Sequence, residues 1–235
     1  TLFRNARLRG INAIQLEPEE HLIGVAITHG HHDVMLFSDV GKCVRFDEGN
    51  VRSMGRTAHG VRGMRLKEGQ KVVSLLVTDN DTDYVLTATE NGYGKRTLVS
   101  EYSRHGRGGQ GLIAISTSER NGNVVSAAFV KEDDDIMILS KSGKVVRTRA
   151  NEVSVYSRTA QGVRLINLGD DTVASIRRAE RTDENEEIEH LNIEVPEDAD
   201  TPTAVDEIED EDTSLDDDLE LDGSDESSDD DSTGK

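Results

Sequence analysis

The chain has 235 residues, of which 31% are charged, 34% hydrophobic and 3% aromatic, with a formal net charge of −20. That average conceals two unlike segments: 25 of the 47 acidic residues fall between Asp183 and Lys235 beside a single lysine, leaving 22 acids against 26 bases in residues 1–182. No run approaches the ~18 apolar residues that a membrane-spanning helix needs, and no charged start followed by an apolar stretch marks a signal peptide, so no membrane partner is expected. One cysteine, Cys43, excludes an internal disulfide and a cysteine zinc site, and it fits a reducing compartment, with the cytoplasm as the expected location. A body of this size can bury a core as a single domain, whereas the tail is too charged and too poor in apolar residues to fold alone. The sequence therefore predicts a folded domain over 1–182 and a disordered acidic tail over 183–235. The start at Thr1, without a methionine, suggests a piece of a longer polypeptide.

The body is a repeat. Gly10, Gly60, Gly111 and Gly162 open the apolar runs GINAIQL, GVRGMRL, GLIAISTS and GVRLINL at intervals of 50, 51 and 51 residues, which sets repeats near 10–59, 60–110, 111–161 and 162–180. In the first repeat a second run, LIGVAI (22–27), is followed by VMLF (34–37), a turn at Gly41 and a basic fourth run carrying Arg45. The second repeat continues with VVSLLV (72–77), VLTA (85–88), a turn at Asn91-Gly92, and Lys95 and Arg96. The third has VVSAAF (124–129), IMIL (136–139), a turn at Ser142-Gly143, and Arg147 and Arg149. The last begins VASI (173–176).

Runs of five to seven residues rich in Val, Ile, Leu and Thr and bounded by Gly, Asn, Asp or Ser are strands, and the glycine pairs suit tight hairpins. Four short strands per repeat describe the blade of a propeller-like array, whose sheets bury their faces against neighbouring blades. The predicted fold class is all-β: about three four-stranded antiparallel blades plus part of a fourth. Residues 1–9 are expected to finish a preceding blade.

Two arginine triplets keep the repeat interval: Arg45, Arg96 and Arg147 in the fourth runs, and Arg56, Arg107 and Arg158 in the loops that follow. An arginine at one place in every blade becomes a row of cations, the arrangement that a phosphate backbone would meet. Arg62, Arg65, Lys95, Arg104, Arg149 and Arg164 lie near these rows. The same spacing also suits ties between blades, and for Arg45, Arg96 and Arg147 both roles stand. Four tyrosines and four phenylalanines offer little material for base stacking, so backbone-directed binding of duplex is favoured over single strands.

Other motifs point to no chemistry. The run His29-Gly30-His31-His32 matches Asp79-Asn80-Asp81 in the next repeat and is expected to be a variable turn without a metal. Asp133, Asp134 and Asp135 are expected to form a solvated turn. Gly92-Tyr93-Gly94-Lys95-Arg96 lacks the spacing and the following Ser or Thr of a phosphate loop, and no catalytic constellation recurs.

From about Leu8 to Glu180 the sequence resembles the C-terminal domain family of DNA gyrase A, through DVMLFSDVGKCVRF, GVRGMRL, ENGYGKRT, SERNG and RTAQGV in that order. The resemblance implies a β-pinwheel that binds and wraps duplex DNA for a type IIA topoisomerase. It also implies partners in the rest of gyrase A and in gyrase B, within an A2B2 enzyme. No cofactor is expected in this chain, ATP and Mg²⁺ belonging to the whole enzyme, and no catalytic residue of the topoisomerase is found. The family's box of pattern Q-R-R-G-G-K-G is matched by a degenerate copy, Arg107-Gly108-Gly109-Gln110-Gly111, in which Gln110 replaces the lysine and His105 and Gly106 precede. Two alternatives remain: the similar pinwheel of topoisomerase IV, and a propeller-like protein-interaction scaffold that does not bind DNA.

Overall fold

In the computed structural model, residues 10–179 are described, and the tail expected over 183–235 lies outside them. Among the described residues the chain order is β1 (Asp33–Ser38), β2 (Lys42–Asp47), β3 (Val72–Thr78), β4 (Tyr84–Thr89), β5 (Tyr93–Leu98), β6 (Leu112–Ile113), β7 (Val124–Val130), β8 (Asp135–Ser140), β9 (Val145–Arg149), β10 (Val163–Arg164) and β11 (Val173–Ala179). The all-β class with four-stranded antiparallel sheets is as the sequence predicts.

The chain builds three hairpins, β1–β2, β4–β5 and β8–β9, each turning at a glycine. The sheets run β3-β1-β2-β6, β10-β5-β4-β7 and β11-β8-β9. No sheet is made from one repeat, so the four strands read in each repeat are shared out among neighbouring sheets. Each hairpin takes an outer strand from the next repeat, and the first two take a short strand on the other edge from the repeat after that. Neighbouring sheets are therefore interlocked by the chain itself.

The first apolar run of each repeat is not a full strand. It contributes two residues, as in β6 and β10, or none, as at 10–16 and 60–66. The run bends because the next two amides converge on one turn carbonyl: Ala114 and Ile115 on Gly41 O at 2.7 and 3.2 Å, and Leu165 and Ile166 on Gly92 O at 2.8 and 3.3 Å. This approach explains the glycine spacing. Gly92 has φ +81°, and a Cβ there would stand 2.6 Å from Ile166 O; a Cβ on Gly162 would stand 2.5 Å from Gly94 O. Only glycine meets both demands, positive φ and backbone-to-backbone contact.

LIGVAI forms no strand either, with Val25 80% and Ile27 82% exposed. Its counterparts β3, β7 and β11 each pair with the first strand of the hairpin before them. Among the described residues no hairpin precedes 22–27, so its backbone lacks a ladder partner.

Strand alternation makes the core. Met35 and Phe37 on one face of β1 pack with Val85 and Ala127 of the second sheet and with Val99 and Tyr102 just beyond β5, while Val34 and Leu36 turn to Phe46 and Met64. A second layer joins Leu86 and Ala88 of β4 to Ile136, Ile138 and Ile176 of the third sheet. The hairpins are thus packed one against the next. Among the described residues no helix is long and apolar enough to cross a membrane.

Candidate nucleic-acid interface

Register places the first arginine triplet. Arg45 opposes Met35, so its same-face diagonal neighbour is Asp33; Arg147 opposes Met137, with Asp135 on the diagonal; Arg96 opposes Leu86, with Tyr84 on the diagonal. Arg45 bonds Asp33 through Nε at 2.7 Å, pairs with Asp81, and donates to Val99 O and Tyr102 O at 3.0 and 3.2 Å. Burial works against its charge, but Asp81 and Asp33 outweigh it and hold the guanidinium above its usual pKa. Arg96 meets a ring instead of a carboxylate, lying 4.9 Å from the Tyr84 centroid, and donates to Val153 O at 2.7 Å. The Tyr102 and Val153 carbonyls are equivalent positions, so Arg45 and Arg96 make one contact twice, tying each sheet to the next repeat. Arg147 bonds Asp135 through Nε at 2.9 Å.

Arg45 and Arg96 are buried, as is Lys95, which donates to Arg158 O at 2.6 Å and to Ser157 O. Desolvation is the main cause that lowers the Lys95 amine to about 7, with Glu101 opposing and Arg158 assisting. For Arg45 and Arg96 this is the tie between blades that their spacing also suited, and Lys95, expected near the rows as a DNA contact, is likewise enclosed in protein and bonded to it rather than open to a phosphate.

The second triplet is also a repeated contact, in the form of a fork on two carbonyls. Arg107 donates through Nε to Asn50 O at 2.9 Å and through Nη1 to Arg62 O at 3.0 Å. Arg158 repeats this on Glu101 O at 3.1 Å and on Ile113 O, and Arg56 donates to Asn12 O at 2.8 Å. Three of the five guanidinium N–H groups remain for Arg107. Among the described residues none of the three side chains is in an ion pair.

The degenerate box lies backbone to backbone on the opening run of its own repeat, with Gly108 N to Gly63 O at 2.5 Å and Arg65 N to Gly109 O at 2.8 Å. Exposed Arg62, Arg65 and Arg107 are thereby brought together from 45 residues of chain, and Gln110 is exposed beside them. Arg104 is half-exposed and bridges Asp33 at 2.8 Å and Asp47 at 3.7 Å. Arg149 is half-buried at the end of β9. Arg164 is exposed and donates to Tyr93 Oη at 3.0 Å. Near it stands Arg120, its guanidinium 4.8 Å from the Tyr93 centroid. Arg120 is not among the residues expected from the sequence, although SERNG contains it; it occupies a one-residue lengthening of that loop that breaks the 51-residue count. Of the described aromatics only Tyr156 is exposed.

Two acidic or histidine clusters differ from expectation. Asp134 and Asp135 are buried, not solvated, and pair with Arg178 at 2.8 Å and with Arg147. Strand pairing of β1 with β3 brings Asp79 beside the histidine run, with Asp79 Oδ2 3.8 Å from His31 Nε2. The His31 and His32 rings stack at 4.7 Å and 24°, and one ligand atom from each of His31, His32 and Asp79 lies within 4.8 Å of the others.

Hairpin sheets that trade strands around a threefold-repeated unit, with arginines tying blade to blade and further arginines left on the surface, define a β-propeller-type array. The DNA gyrase C-terminal domain, beta-propeller, family matches residues 4–29, 32–79, 83–131 and 134–180. The chain belongs to that family. It is 50% identical over 171 residues to the DNA gyrase A protein of Pseudomonas aeruginosa, covering 73% of this chain and 18% of that protein. To the DNA gyrase A protein of Escherichia coli it is 49% identical over 188 residues, 79% and 21% of the two chains. It thus spans about a fifth of the length of these curated relatives. A solved DNA gyrase A C-terminal domain matches with a TM-score of 0.67 at 33% identity, over 72% of this chain and 58% of that one. The C-terminal domain of DNA topoisomerase IV shares the fold, with a TM-score of 0.72 at 21% identity over 76% and 56%.

Proposed function

We propose that this chain binds duplex DNA through its phosphates, without reading sequence, and serves as a DNA-wrapping module of a type IIA topoisomerase. The observation that supports this most is the cluster of Arg62, Arg65 and Arg107, exposed, free of carboxylate partners among the described residues and set on Gly63, Gly106, Gly108 and Gly109. Guanidinium groups there are open to phosphate oxygens, and the glycines let a backbone approach closely. Among the described residues the near absence of exposed aromatics favours duplex over single strands.

In this reading the rest of gyrase A and gyrase B are the partners, the location is cytoplasmic, and ATP and Mg²⁺ serve the whole enzyme. The test is anisotropy of two unrelated labelled duplexes with the full chain across a salt series. Both should bind alike, with log K falling against log salt by roughly 0.9 per phosphate contacted. No binding, or affinity indifferent to salt, would overturn the proposal in favour of a protein-interaction scaffold.

A further inference from the structure

Two arginines from different segments meet on one tyrosine at the turn end of the β4–β5 hairpin. Tyr93, the first residue of β5, is buried. Arg164 of β10 bonds its Oη at 3.0 Å and holds its guanidinium 5.4 Å from the ring centroid, while Arg120, from the loop before β7, stands 4.8 Å from the same centroid. Hydrogen bonds from Arg164 and then Arg120 lower the Tyr93 pKa. The three side chains line a cleft of about 220 Å³ together with Asn91, Asn167 and Asp171. The Asp171 carboxylate is engaged elsewhere, by Ser142 and by the Thr172 amide at 2.8 Å. Among the described residues neither arginine is in an ion pair.

Like charges gathered on one ring repel, and a ring face offsets only part of that repulsion. The repeat supplies an independent observation. The residue directly after the turn glycine is Lys42 in the first hairpin and Lys144 in the third, but Tyr93 in the second. A cation therefore stands at this place in each hairpin, carried by the residue itself in two and by the arginines collected around Tyr93 in the other.

We infer that Arg120, Arg164 and Tyr93 form an oxyanion site that takes one phosphodiester group of duplex DNA. The two guanidiniums present N–H donors from two sides of the cleft, and the phenol, accepting from Arg164, keeps its own hydrogen for the phosphate. The assignment rests on the DNA reading above and deepens it.

The test is a salt series of anisotropy with a labelled random-sequence duplex and the full chain, comparing the parent with R120Q/R164Q, R120K/R164K and Y93F. The glutamine pair should bind about tenfold more weakly at low salt and lose roughly 0.9 from the salt slope, one phosphate's share. The lysine pair should keep the slope but lose affinity, because charge survives and the planar fork does not. Y93F should lose affinity with the slope unchanged. A folded glutamine pair that matches a binding parent in affinity and slope overturns the site and leaves the DNA reading standing; a parent that does not bind overturns both. Nuclear magnetic resonance needs no variant to fold: the Nε–H signals of Arg120 and Arg164 in the parent should shift together and saturate with duplex. Signals unmoved at saturation overturn the site.

Discussion

Arg45 Nη2 lies 2.7 Å from Asp33 Oδ2, across strands β2 and β1, with the two side chains 8% and 1% exposed. The same diagonal recurs as Arg147 with Asp135, and as Arg96 with the Tyr84 ring. One arginine position is thus stabilised in three hairpins by two kinds of partner. What is common to Arg45 and Arg96 is the further donation to a carbonyl of the next repeat, at Tyr102 and Val153.

Removing Arg45 takes one of two cations from buried Asp33 and leaves the half-exposed Arg104 as the other. Arg45→Met is expected to cost about 3 kcal/mol, the low end for breaking a buried pair. Arg96→Met should cost less, about 1–3 kcal/mol, because it leaves carbonyls rather than a carboxylate without a partner. Urea unfolding of the full chain measures both. Equal losses in the two variants would contradict the distinction between carboxylate and ring partners.

Among the described residues the Arg62 and Arg65 side chains make no hydrogen bond or ion pair, whereas Arg107 forks two carbonyls. Arg62→Glu with Arg65→Glu is therefore expected to leave the thermal midpoint unchanged while weakening duplex binding and lowering the salt slope by roughly 0.9 for each phosphate no longer met. Arg107→Glu should lower both stability and affinity. Paired thermal melts and anisotropy separate the two effects.

Lys95 makes folding depend on pH. Its folded amine titrates at about 7, against 10.5 when unperturbed, chiefly through burial. Between these values the unfolded chain binds a proton that the folded chain does not, so stability rises with pH across that window and is lost as pH falls through about 7. Lys95→Met should flatten this dependence. Urea midpoints at pH 7, 8 and 9, compared between parent and variant, check it; a parent whose midpoint falls over that range contradicts the assignment.

The charge contrast along the chain predicts competition. Residues 183–235 carry 25 carboxylates against one lysine, and a tether raises their local concentration near the arginines of the body. Ending the chain after Thr182 should raise duplex affinity at low salt, with the gain shrinking as ionic strength screens the competition. Equal affinities of the two forms at low salt would exclude it.

The 51-residue period, the all-β class, the three hairpins and the glycines at their turns were legible in the sequence, because hairpin register and turn conformation are settled by neighbours along the chain. The tie-or-contact question for Arg45, Arg96 and Arg147 was not legible, since a periodic arginine has the same spacing in either role. Strand exchange makes ties of Arg45 and Arg96: β6 and β10 return to an earlier sheet, and the chain leaving each hairpin packs on the sheet before it, so Val99, Tyr102 and Val153 carbonyls enclose their guanidiniums. The Arg62, Arg65 and Arg107 cluster arises where the two ends of one repeat meet, and the meeting of Arg120 with Arg164 at Tyr93 from packing between repeats. Local patterning specifies each hairpin; which side chains are buried between hairpins and which stay in water follows only from the order in which the sheets trade strands.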